Sequence, residues 1–173
     1  FISVTLLSAS SSSVKTSSKN QTSIQDNLTL DSACKLLKST LNGQRYHANG
    51  SVNESSQFQI TGWDTEYQPT FPGTLAISTA VINGSSSVTS DSFNISVEGI
   101  NEIKDVTGNY AIVKTNDSEE DLYQAIYTLS LTAEDNTVLK RYVTFSVSVD
   151  TANSDTKKKV VMWTWNGVSG KEG

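Results

Sequence analysis

The stretch Tyr123-Gln124-Ala125-Ile126-Tyr127-Thr128-Leu129-Ser130-Leu131 governs the reading of this chain, because its apolar and aromatic residues fall on odd positions. The even positions are mostly polar. A period of two turns one face of a strand to a core and the other to water. Val143-Thr144-Phe145-Ser146-Val147-Ser148-Val149 repeats the pattern, and Glu134-Asp135-Asn136-Thr137 supplies a polar turn between the two runs. Together they predict an antiparallel hairpin. Phe93–Val97 alternates in the same way, and Leu75–Ile82, Tyr110–Lys114 and Val160–Trp165 read as further strands, with Gln57–Thr61 a weaker one.

Upstream the signal changes. All ten glycines lie at Gly43 or later, and the two prolines are Pro69 and Pro72, so no strong breaker interrupts the first 42 residues. From about Ile24 the pattern is that of an amphipathic helix. Leu30, Ala33, Cys34, Leu37 and Leu41 share one face, and Asp26, Asp31, Lys35 and Lys38 lie off its centre. Asn42-Gly43 is a C-terminal stop, with Lys35 and Lys38 near the negative end of the helix dipole. Phe1 to Val14 carries no charge, and its apolar residues point all round a helical wheel, as in a membrane or bundle helix. A shorter helix over about residues 28–41 behind a Ser-rich leader is the alternative, as is the tail of a secretory signal at Leu6-Leu7-Ser8-Ala9-Ser10. Either way, the body is expected outside the cytoplasm.

Strands clustered after one helix predict an α+β fold. Residues 1–42 are expected to form a long N-terminal spine helix, packed on an antiparallel β-sheet head at residues 43–173, with room for a second small sheet. Without the helix, seven short strands suggest an immunoglobulin-like sandwich. The Cys…Trp…Cys framework of true immunoglobulin domains is absent, since Cys34 is the only cysteine.

Composition narrows the function further. The 173 residues carry a net charge of −5, one His and one Cys, and Ser, Thr and Asn fill 60 positions. This excludes a structural Cys/His zinc site and an intrachain disulfide, and argues against a nucleic-acid surface. No cofactor is expected. His47 would have to serve any His-based chemistry alone and reads as a loop residue, and no serine sits in a G-x-S-x-G context. Cys34 reads as a small buried hydrophobe. Asn116-Asp117-Ser118-Glu119-Glu120-Asp121 is oxygen-rich, so Ca²⁺ between Asp117 and Asp121 is conceivable, although a solvated turn suits it as well. Trp63, Trp163 and Trp165 are candidates for a partner or sugar-stacking surface, against the simpler reading of packed core. Lys157-Lys158-Lys159, the only basic run, reads as an edge-blunting or solvating device. Asn20, Asn27, Asn49, Asn53, Asn83, Asn94 and Asn116 open N-x-S/T triplets, a modest excess over the roughly three or four that chance supplies.

Phe1-Ile2-Ser3-Val4-Thr5-Leu6-Leu7, Gln21-Thr22-Ser23 and Ala33-Cys34-Lys35-Leu36-Leu37 resemble the helix of type IV pilin-like proteins, especially minor pilins and pseudopilins. In that family an apolar anchor continues as an amphipathic half laid against an antiparallel sheet. The family's Glu five residues into the processed helix is Thr5 here, which places Phe1 near the outer end of an anchor whose diagnostic part is missing. The resemblance implies a non-enzymatic extracellular subunit at the cell surface. Its partners would be other pilin-like subunits packed through the helix, and a host or surface ligand on the head. Membrane contact would come only through the missing anchor, and Leu30, Ala33, Cys34, Leu37 and Leu41 would hold head to helix. The immunoglobulin-like adhesin or binding module is the other expectation.

Overall fold

A computed structural model describes residues 11–98, 103–117, 120–150 and 157–170. The anchor expectation for residues 1–10 lies outside them. The breaker-free N-terminal stretch forms α1 (Ser11–Leu41), about 46 Å long at 1.5 Å per residue. Gly43, at φ 79°, turns the chain out of it. A hairpin follows, β1 (Arg45–Val52) and β2 (Phe58–Trp63), and then α2 (Thr74–Ile82). The rest is an antiparallel meander: β3 (Phe93–Glu98), β4 (Ile103–Asp117), β5 (Glu120–Thr132), β6 (Val138–Val149) and β7 (Lys158–Ser169). The predicted hairpin is β5–β6, in register from Tyr123 opposite Val147 to Thr132 opposite Val138.

The seven strands make one sheet in the order β2-β1-β7-β6-β5-β4-β3, with every pair antiparallel. The sheet curls into a half-barrel. Because β1 lies beside β7, the first hairpin extends the meander instead of forming a sheet of its own. The polypeptide between β2 and β3 has to travel from one edge of the sheet to the other, and α2 lies on that crossing, packed against β6 and β7.

This corrects the α+β expectation of a long helix on a β-sheet head with a possible second sheet. The molecule is mostly β, and the sheet is its main body. The reason lies in strand length and closure: β4 to β7 run 12 to 15 residues each, and β1–β7 pairing leaves no second sheet to form. The same single sheet rules out the face-to-face layers of an immunoglobulin-like sandwich. The structure also changes one expected element and adds another. Leu75–Ile82 is helical: its apolar run buries Ile77, Ala80 and Val81 at helical spacing, which a short apolar run cannot distinguish from a strand. Arg45–Val52 is the strand that polar composition concealed, since β1 owes its conformation to neighbours on both sides.

The core lies on one face of the sheet. Tyr127 is fully buried at its centre, with Phe71, Phe93, Tyr110, Phe145 and Trp163 at ring-centroid distances of 6.0 to 6.4 Å. Its hydroxyl donates to the Pro72 carbonyl at 2.9 Å, and burial drives its ionisation far above the ordinary tyrosine range. The Trp163 indole N–H donates to Ser78 Oγ at 3.2 Å, so α2 and the residues leading into it meet the sheet through two satisfied polar contacts within an aromatic cluster. Among the described residues, no helix is long and apolar enough to cross a membrane.

Gly73 starts α2 at φ 81°, and a Cβ there would lie 2.6 Å from the Tyr110 ring. Gly73→Ala therefore combines left-handed strain with a ring clash. The expected loss is about 2–3 kcal/mol, read as a lower urea midpoint with an unchanged m-value.

Candidate functional site

The sequence placed the functional weight on α1, and that helix has two chemically distinct faces. Leu30, Ala33, Leu37 and Leu41 are fully enclosed and Cys34 nearly so, all in the core cluster that includes β3 to β7. Burying each leucine contributes about 1.5–3 kcal/mol. Burial pushes the Cys34 thiol up to about 11, with Asp31 adding to the effect, so it stays a neutral thiol in neutral solution.

Polar side chains then fix the helix along its length. Arg141, only 3% exposed on β6, is one of them. Its Nη2 donates to Asn27 Oδ1 at 2.6 Å and its Nε to Asp31 Oδ1 at 3.3 Å. Its Nη1 donates to the carbonyls of Lys140 and Gly170 at 3.0 and 3.1 Å. The second tie is Lys104 on β4, whose Nζ meets Asp26 Oδ1 at 2.6 Å. Asp26 is 1% exposed, and its Oδ2 has no hydrogen-bond partner. The sequence showed Asp26 and Asp31 only as flanks of the apolar stripe. A lone charge at a stripe edge looks the same whether it is solvated or paired, and the partners lie 78 and 110 residues away.

The outward face of α1 is different. Ile24, Leu28 and Leu36 are 61%, 55% and 45% exposed. Ile24 and Leu28 are one turn apart, and Leu36 lies two turns further, within the same 120° of the helix surface. Beyond Asp26 the helix passes the β5–β6 turn, leaving a cleft of about 500 Å³ lined by Lys19, Thr22, Glu134 and Asp135 among others. There a hydrogen bond from Thr137, helped by Lys19, holds the Asp135 carboxyl below its ordinary range.

The remaining candidates scatter. Trp163 is fully buried, which removes it from any partner surface. Trp165, on the same face of β7, is partly buried against Phe145 at 5.4 Å, with Lys38 Nζ 5.1 Å from its ring. Trp63 ends β2, separated from β7 by β1, and is also partly buried, so with Trp163 enclosed the three indoles form no common exposed platform. His47 stacks on Tyr67 at 4.5 Å and exchanges backbone hydrogen bonds with Tyr67 and Asp64. The side chains of the acidic run at Asn116 to Asp121 lie outside the described ones; the described backbone on either side pairs as the β4–β5 turn. Among the N-x-S/T asparagines, Asn20, Asn83 and Asn94 are exposed, whereas Asn27 is engaged by Arg141 and Asn53 caps its own turn.

Two tests probe how α1 is held. Lys104→Met leaves the buried Asp26 carboxylate uncompensated and is expected to cost about 3 kcal/mol or more in urea unfolding, while adding Asp26→Leu restores most of it. The neutral Cys34 thiol favours the folded state below its unfolded pKa. The stability advantage of wild type over Cys34→Ala is therefore expected to fall as pH rises from 9 to 11, measured by paired urea titrations. Comparison of the chain with protein-family models, with curated proteins and with solved structures finds no match.

Proposed function

We propose that this chain is a non-enzymatic structural subunit that joins an extracellular assembly through α1, as minor pilins and pseudopilins do, while the sheet is the displayed body. The observation that carries this reading is the division of α1 into two faces. Its inner face is locked to the sheet by enclosed leucines and buried ion pairs, and its outer face leaves Ile24, Leu28 and Leu36 in water. Exposed apolar side chains at helical spacing are what a neighbouring helix would cover. The chemistry of the body is consistent with this. Its one histidine is stacked on Tyr67, and the chain's one cysteine, on α1, is a buried, protonated thiol. The side of β5 and β6 away from the core interleaves Ser, Thr and Gln with the exposed Leu122, Val138 and Tyr142.

The test is site-specific photocrosslinking in cells that make the full-length protein, with a photoreactive residue at Ile24, Leu28 or Leu36. Ladders of crosslinked copies or crosslinks to a related subunit are expected from these positions, and none from Thr128 or Thr144 on the opposite side of the sheet. Absence of crosslinks at all three helix positions, with efficient ones from the sheet, would overturn the assembly reading.

A further inference from the structure

A groove of about 760 Å³ runs between β2 and the C-terminal end of α2, on a surface the assembly reading does not use. Phe58, Ile60 and Ile82 give it apolar walls, and Gln57, Asn83 and Lys159 supply polar groups. Phe58 and Ile60, two apart on β2, share with Lys159 of β7 the face that α2 overlies, and the consecutive run from Ser56 to Ile60 carries the groove along the outermost strand of that face. That edge is open: among the described residues β2 has β1 as its one neighbour. Alternate backbone N–H and C=O groups of such a strand point away from the sheet and can template a further strand. Phe58-Gln59-Ile60-Thr61-Gly62-Trp63 carries neither the proline nor the charge that commonly blunts an open edge.

The groove also carries a charge. The chain's only basic run arrives at this end of the sheet, with Lys158 and Lys159 opposite Asn49 and Ala48 of β1. The expectation that these lysines blunt an edge does not apply, because β7 is interior, between β1 and β6. Lys159 instead lines the groove, with Nζ 5.9 Å from the centroid of the Phe58 ring. The nearby end of α2 is not a competing anion: the amides of Asn83, Gly84 and Ser85 cap the carbonyls of Thr79, Val81 and Ala80. Lys159 is the one charged side chain among the residues that line the groove, on a chain of net charge −5.

We propose that this groove binds an extended peptide segment of a partner protein, added as a further strand on β2. An apolar side chain would fill the space between Phe58, Ile60 and Ile82, and an acidic residue would face Lys159. Main-chain hydrogen bonds supply affinity in this mode, and the alternate side chains supply specificity. The site is independent of α1, so its failure leaves the assembly reading standing.

The experiment is panning of a displayed random-peptide library on the purified chain, followed by synthesis of the enriched peptide and titration by fluorescence anisotropy. Enriched sequences are expected to alternate β-branched or aromatic residues and to include an Asp or Glu. N-methylation of alternate backbone nitrogens should abolish binding. Lys159→Glu should weaken it by about tenfold or more, while Lys140→Glu, on β6, leaves it unchanged. Where Lys159→Glu fails to fold, Lys159→Gln and the salt dependence of binding provide the same comparison. Amide shifts on binding should cluster at residues 56–60 and 79–84. No enrichment, binding that survives N-methylation or loss of the Lys159 charge, or shifts on another surface would overturn the proposal.

Discussion

Three hydrogen bonds where α1 ends tie the two halves of the chain together. The Asn42 side chain accepts from the Trp165 amide at 2.9 Å, the Gly43 amide donates to the Trp163 carbonyl at 2.8 Å, and the Trp163 amide donates to Gln44 at 2.9 Å. Residues about 120 positions apart are thereby held in one register. The register of β1 on β7 continues from that junction, starting at Arg45 opposite Met162. With β1 placed, its hairpin partner β2 becomes one edge of the sheet, and the chain must return through α2 to begin β3 at the other. A left-handed glycine at position 43 makes the sharp exit from the helix possible.

Two kinds of force hold α1 once it is placed. Enclosed leucines supply most of the favourable energy but tolerate sliding, because hydrophobic contact is non-directional. Arg141 and Lys104 do not tolerate it, since their bonds to Asn27, Asp31 and Asp26 exist in only one axial position. Buried ion pairs contribute little net stability against a well-packed apolar substitute. Their role here is to select a single seating of the helix, and with it the side that faces outward. The exposure of Ile24, Leu28 and Leu36 is therefore a consequence of how the opposite face is fastened.

The sequence showed most clearly what depends on local pattern. Alternation in Tyr123–Leu131 and Val143–Val149 was enough for the central hairpin, and helical spacing was enough for the buried stripe of α1. What it concealed depends on distant partners. The polar stretch Arg45-Tyr46-His47-Ala48-Asn49-Gly50 has no strand signature of its own, and becomes one by lying between β2 and β7. Thr74–Ile82 is apolar in both periods, so its helical state is set by the left-handed Gly73 and by the space over β6 and β7. Arg141 alternates with its neighbours like a core residue, yet nothing local names Asn27 and Asp31 as the groups that satisfy it. Position along one continuous sheet also changed the meaning of the lysine run, from the guard of an edge to a charge beside a groove.

That α1 and the sheet behave as one cooperative unit is tested most directly by native-state amide hydrogen exchange. The amides of Leu30, Ala33 and Leu37 are expected to open with the same free energy as those of Phe145 and Trp163, and with the same denaturant dependence. Exchange of the α1 amides through a separate, lower-energy opening while β6 and β7 remain protected would contradict it.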